Sequence, residues 1–408
     1  MPYSSQHLPA YRHHKSRGLG VVTLNGKDIY LGPYNSEQSR RKYDRLIQEW
    51  LASGRTITSQ SPVEEGQFSV AELILAYLDH ARVFYRRDGE ATSHFHNVED
   101  ALSYLKDLYG LEPVACFSPL RLKAVQQQMI GKKLSRSTIN KYVGCLKRMF
   151  RWGTENELVP PTVFHGLQAV GGLRKGRSDA KENGPVKPVP EQYVEAVKPY
   201  LSKQVNAMIQ LQLVTGMRPG EVVAMRGVDI DRSAALWIYT PVHHKTEHHG
   251  HVRPVYLGPT AQEILTPFLV TDSSAYLFSP MEAMASYHAE RRRLRKTKIT
   301  PSQAKRKRRP VSTVGNRYTT ESYRRAIARA CKQADLAARQ AIAEASPEVV
   351  FVPQWHPHQL RHNAATRLRR EYGLDAARVV LGHRSAAVTE VYAEVDHAKA
   401  QEVMSKAG

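Results

Sequence analysis

Two stretches that no packed element can contain divide the chain into three parts. Residues 53–66 are rich in serine, proline, glycine and glutamate, and residues 171–179 in glycine and charge. Neither has the apolar periodicity with which a helix or strand buries a face. A chain of 408 residues broken in this way folds as several domains and not around one core. The expected divisions are residues 1–60, 67–172 and 187–408, with 173–186 as a linker.

The first part contains Gly20-Val21-Val22-Thr23-Leu24 and Lys27-Asp28-Ile29-Tyr30-Leu31-Gly32 on either side of Asn25-Gly26. That dipeptide accepts the positive φ angles of a tight primed turn, so a β-hairpin is predicted. A helix follows from about Ser36 to Ala52, with Tyr43, Leu46, Ile47 and Trp50 on one face. The basic leader Arg12-His13-His14-Lys15-Ser16-Arg17 makes this module either a DNA-contacting appendage or a structural cap with a solvated tail.

The second part is helical throughout. Ser69 and Glu72 form a capping-box pair, Phe95, Val98, Leu102 and Leu105 recur every three or four residues, and Ser118-Pro119 starts a further helix. A helix bearing Ile139, Tyr142, Val143, Leu146, Met149 and Phe150 on one side carries Lys141, Lys147, Arg148 and Arg151 around the rest. The stripe reads as core, and the basic residues are candidates for phosphate contact in a helical DNA-binding domain. The third part reads as helices around a short hairpin, Leu236 to Tyr239 and Val252 to Leu257. The fold class is therefore mainly α with small β-sheets (α+β), in several domains.

Lysine and arginine number 59 against 38 acidic residues, a formal charge of +21. Such an excess favours a polyanion, since cations gain by displacing counterions from nucleic-acid phosphates; an acidic membrane surface is the alternative. Eleven of the cations fall between Arg291 and Arg309 without one acid, inside an insertion spanning 285–315. Self-repulsion opposes a compact fold there until a polyanion neutralises it, and Arg291, Arg292, Lys305 and Arg306 are taken as DNA contacts. Cys116, Cys145 and Cys331 form no CxxC pair, against a disulfide framework or structural zinc site. No apolar run approaches membrane-spanning length. A cytoplasmic protein with no membrane partner is expected.

Three clusters carry the chemistry: Thr215-Gly216-Met217-Arg218-Pro219-Gly220-Glu221, then His358-Gln359-Leu360-Arg361-His362, then Leu381-Gly382-His383 with Tyr392 nine positions on. Breaking a phosphodiester without metal needs cations on the non-bridging oxygens, where charge accumulates in the transition state. Arginine suits this because its planar fork donates two parallel hydrogen bonds and never deprotonates; Arg218 and Arg361 are the candidates. His358 and Arg361, three positions apart on a predicted helix, share a face. A phenol is mostly neutral at physiological pH, so Tyr392 needs a base, for which His358 is placed, and the field of the arginines.

The order and spacing of these clusters resemble the tyrosine recombinase (phage integrase) family, with its TGxR segment, HxLRH box, LGH and terminal tyrosine. The resemblance runs from about Val186 to the C-terminus. It implies site-specific cleavage and rejoining of double-stranded DNA through a 3′-phosphotyrosyl link to Tyr392, without cofactor or catalytic metal. It further implies Lys245, in a KT…R.VPL-like hairpin, as general acid, His383 on the scissile phosphate, and Glu221 and His362 as supporting groups. A C-shaped clamp on duplex DNA, a homotetramer joining two duplexes through a Holliday junction, DNA-bending or directionality partners and a prokaryotic nucleoid setting follow by the same route. The rivals are a topoisomerase of type IB kind, a catalytically silent DNA-binding regulator and a metal nuclease. The last would use the crowded His243, His244, His248, His249 and His251, which no matching carboxylates or cysteines accompany.

Overall fold

The computed structural model describes residues 8–53, 55, 67–87, 89–242, 253–298, 300–301, 314–341, 350–383, 385–392 and 405. They form two compact units, Met1–Gly184 and Pro185–Gly408.

The first unit opens with an antiparallel sheet of β1 (Arg12–His14), β2 (Leu19–Leu24) and β3 (Lys27–Pro33) in that order. The predicted turn is present, with Asn25 at φ 47° and Gly26 at φ 79°. The basic leader is not a free tail: Arg12 pairs opposite Val21, and its guanidinium meets Asp28 at 3.3 Å. Helix α1 (Glu37–Ala52), capped by Ser36, closes a small core of Val22, Leu24, Leu31 and Ile47.

Helices α2 (Val70–Phe84), α3 (Ser93–Tyr109), α4 (Pro119–Gly131), α5 (Arg136–Glu155) and α6 (Pro161–Gln168) build the larger core, with a two-stranded ribbon, β4 (Arg86–Arg87) and β5 (Glu90–Ala91), between α2 and α3. The Ser69–Glu72 capping box forms as its spacing predicts. Leu102, Leu105, Ile139, Leu146, Met149 and Phe150 are fully buried, which confirms the helical stripes. The N-terminal module does not stand apart from these helices. Arg45 of α1 is ion-paired with Glu112, and the Tyr109 hydroxyl donates to Glu49 at 2.9 Å. The linker also differs from expectation. Asn140 exchanges two hydrogen bonds with Leu173, at 2.7 and 3.0 Å, and Arg136 binds the Lys181 carbonyl through its backbone and Glu182 through its side chain. Glycine and charge suggested a loose connector, but residues 173–182 find their partners along the start of α5.

The second unit is built around α8 (Lys203–Thr215), whose Met208, Ile209 and Leu211 are fully buried. Against it pack the short α9 (Pro219–Val223) and the last strand of an antiparallel meander of β6 (Ile230–Asp231), β7 (Trp237–Tyr239) and β8 (Val255–Leu257), while α7 (Glu191–Val197) packs on the later helix Thr320–Gln340. Helices α10 (Pro259–Leu265), α11 (Pro280–Arg293), α12 (Thr320–Gln340), α13 (Pro357–Leu381, interrupted at Gly373, whose φ of 86° and ψ of 174° are not helical) and α14 (Ala386–Tyr392) complete it. The basic insertion begins as a helix, contrary to expectation: α11 runs to Arg293, with Arg291, Arg292 and Arg293 in its last turn. There the exposed carbonyl ends favour cations and offset the repulsion. No described helix is long and apolar enough to cross a membrane.

Candidate active site

Helix α8 stops at Gly216, whose φ of 67° is left-handed and turns the chain toward Arg218. A β-carbon there would lie 2.5 Å from Leu381 Cδ2, so glycine is also needed for the close approach of the two segments. The turn is pinned from both sides. Gln212 Nε2 donates to the Met217 carbonyl at 2.9 Å, and the Tyr323 hydroxyl donates to Gln212 Oε1 at 3.0 Å.

Arg218 then caps α9. Its backbone N–H donates to Glu221 Oε2 at 2.7 Å and its Nη1 to Oε1 at 2.8 Å. Burial works to raise the Glu221 carboxyl pKa, but Arg253 and Arg218 override it and hold the group below the usual carboxylate range.

Arg361 sits one turn into α13 and is completely buried. Nη1 donates to the Gly216 carbonyl at 2.7 Å, and Nη2 donates to the Leu381 carbonyl at 2.8 Å and to His383 Nε2 at 2.6 Å. One guanidinium thus joins the TGxR turn to the LGH turn that ends α13. His358 lies beside it, its ring 5.7 Å from that of His362 in an edge-on contact. Burial, then His362 and Arg361, depress the His358 pKa to about 4. Burial and Arg361 depress His383 to about 3. Both imidazoles are neutral at physiological pH, so His358 is fit to accept a proton. His383 departs from the expected phosphate contact: both ring nitrogens are engaged, Nε2 by Arg361 and Nδ1 by Thr389 Oγ1 at 3.0 Å.

Arg253 was not singled out from the sequence. It is 5% exposed, and its Nη1 donates to the Val380 carbonyl at 3.0 Å while Nε lies 3.7 Å from Glu221 Oε1. Gly382, at φ 64°, makes room for it, since a β-carbon there would fall 2.5 Å from Nη1. Among the described residues Nε and Nη2 have no hydrogen-bond partner. The available signal was the arginine of the R.VPL-like strand, read only for its upstream lysine. Arg218, Arg253 and Arg361 carry three positive charges against the single carboxylate of Glu221, an excess of two (3 − 1) with both histidines neutral. A partly buried cationic excess with unsatisfied donors is a site for an anion, and the planar donors suit phosphate.

The backbone of Tyr392 lies at the end of α14, against α13. Its side chain is outside the described structure, as are Lys245, Lys305, Arg306 and the five hairpin histidines. In the first unit Lys141, Arg148 and Arg151 are exposed along one face of α5, whereas Lys147 is half-buried and donates to the Val170 carbonyl at 2.5 Å. Lys147 therefore secures the end of α6 and is a poor choice for a phosphate contact.

The depressed histidines set a pH dependence. Each folded pKa lies below the ordinary 6.5, so the stability linked to them is complete above that pH and is lost as pH falls toward the folded values. The basic form of His358 persists over the same interval. The expected cleavage kcat/KM shows no break near pH 6.5 and holds to about pH 5, while the melting temperature declines below about 6.5. A kinetic break near 6.5 would show that His358 titrates normally.

Residues 189–399, just over half of the chain, match the phage integrase family, and the chain belongs to that family. It is a site-specific recombinase, an enzyme that breaks and rejoins DNA strands. No curated protein matches in sequence. In fold, the chain is similar to the Tn1549 transposon integrase (residues 82–397) solved with circular intermediate DNA, at 17% identity and TM-score 0.52 over 83% of this chain and 99% of that one. It is also similar to lambda integrase solved as a dimer bound to a COC′ core site, at 13% identity and TM-score 0.53 over 96% and 97% of the two chains. Lambda integrase solved as a tetramer bound to a Holliday junction aligns at 13% identity and TM-score 0.51, again over 96% and 97%.

Proposed function

We propose that Tyr392 is the nucleophile, attacking a DNA phosphorus held by Arg218, Arg361 and Arg253, with His358 taking the phenolic proton. The attack forms the tyrosyl O–P bond and breaks the bond to the 5′-oxygen, which leaves as a 5′-hydroxyl with a proton from Lys245. A 5′-hydroxyl of a partner duplex then attacks the phosphotyrosyl bond, and the tyrosine regains its proton. The ester bond energy is kept in the intermediate, so the cycle closes without a nucleotide cofactor. Glu221 holds Arg218 and Arg253, and His362 supports His358.

The observation that carries this reading is the convergence of three guanidiniums, one carboxylate and two neutral imidazoles from segments far apart in sequence, beside the helix that ends in Tyr392. Duplex DNA is the partner this charge fits. Lys141, Arg148, Arg151, Arg291, Arg292, Lys305 and Arg306 are proposed to contact its backbone, as are the N-terminal sheet module and the basic insertion. The DNA complexes of the Tn1549 and lambda integrases, including the lambda tetramer on a Holliday junction, support assembly of four copies on two duplexes. DNA-bending or directionality partners and a cytoplasmic, nucleoid-bound setting complete the proposal.

The test is a supercoiled plasmid pool with randomised inserts, incubated with the protein in excess chelator and quenched with detergent. The expected product is a covalent adduct whose peptide map places a 3′-phosphate on Tyr392, with strand exchange between two duplexes when a captured site is supplied twice. No adduct would mark a silent DNA-binding protein, loss of cleavage in chelator a metal nuclease, and relaxation without exchange a topoisomerase.

A further inference from the structure

Helix α14, which packs on α13, holds the family's terminal tyrosine. Of its described side chains, Ala387, Val388 and Glu390 are exposed, and Thr389 alone is buried, at 0% exposure. Its hydroxyl lies 3.0 Å from His383 Nδ1, and His383 Nε2 lies 2.6 Å from Arg361 Nη2.

The chemistry of these contacts fixes the direction of each. A guanidinium only donates, so His383 Nε2 presents its lone pair, and the single proton of the neutral ring sits on Nδ1. That N–H donates to Thr389 Oγ1. The β-branched threonine has only two favoured χ1 rotamers in a helix, and the one present sets its oxygen against Nδ1. We propose that Thr389 is a positioning residue for strand cleavage: it selects the His383 tautomer that accepts from Arg361, and so ties the tyrosine-bearing helix to the arginine that holds the phosphate. The relay Arg361–His383–Thr389 ends three residues, about one helical turn, before Tyr392. The proposal rests on the assignment of Tyr392 and Arg361 to the reaction.

Loss of the hydroxyl removes the acceptor that Thr389 offers to Nδ1–H. A shift of the ring proton to Nε2 would then set an N–H against the N–H of Arg361. Either outcome frees α14 while duplex binding, which depends on other residues, persists.

The experiment compares wild type, Thr389→Val and Thr389→Ser on the duplex that the wild-type protein captures most strongly from the randomised pool. Single-turnover adduct formation, duplex affinity and melting temperature are read for each. Thr389→Val is expected to slow adduct formation by roughly 10- to 100-fold with affinity unchanged and the melting temperature lowered by about a few degrees at most, and Thr389→Ser to restore most of the rate. Wild-type speed in Thr389→Val overturns the positioning role, as does equal slowing in both variants accompanied by a lower melting temperature. Should the valine variant fail to fold, imidazole ¹⁵N shifts of the wild-type protein decide: a protonated Nδ1 and unprotonated Nε2 at His383 support the relay, and the reverse pattern overturns it. A wild-type protein that forms no adduct at all removes the nucleophile assignment first, and is thereby distinguished from failure of the relay alone.

Discussion

Tyr392→Phe is expected to abolish the covalent protein–DNA adduct, lowering its rate of formation by on the order of 10⁴-fold or more. Phenylalanine keeps the ring and removes only the oxygen proposed to attack phosphorus. The cationic pocket is untouched, so duplex affinity should equal that of the wild type, and the variant should bind DNA without ever becoming linked to it. Detergent-quenched electrophoresis of labelled duplex measures the first quantity and a gel shift the second. An adduct formed at the wild-type rate would mean that another residue is the nucleophile.

The second large effect concerns Arg361, because one side chain serves both the reaction and the architecture. Arg361→Ala leaves the carbonyls of Gly216 and Leu381 and the Nε2 of His383 without their donor and opens a cavity at a fully buried position. A loss of about 3–5 kcal/mol in unfolding free energy is expected from urea titration. Arg361→Lys separates the two roles. An ammonium keeps the charge but cannot span three acceptors with a planar fork, so the fold should survive better while cleavage falls by roughly 10²- to 10³-fold. Cleavage by Arg361→Lys within a few-fold of wild type would show that charge alone is required at this position.

What could be read from the sequence was local chemistry. The Asn25-Gly26 turn, the Ser69–Glu72 capping box and the α5 stripe each depend on residues within one turn or one helix, and all form as expected. The clusters around Arg218, Arg361 and His383 were legible as motifs, and the fold brings them together. What escaped depends on neighbours that only the fold supplies. Arg253 matters because Val380 and Glu221 lie beside it, and Thr389 looks like any residue of a short helix until His383 is placed against it. Lys147 read as a phosphate contact because its helix position is basic, but the carbonyl it serves is on Val170, at the end of the next helix. The third strand β1 and the anchoring of 173–182 escaped in the same way: polar, glycine-rich composition signals a loop, and cannot show where the backbone finds its partners.

The fastening of two distant chain segments by Arg361 has a bearing on genome safety. Gly216 comes within its reach only after α8 and α13 have docked, and Leu381 and His383 only once α13 bends at Gly373, so the arginine proposed to polarise a phosphate is not in place in a nascent or partly unravelled copy. Such a copy, still strongly basic, would cling to chromosomal DNA without being able to nick it.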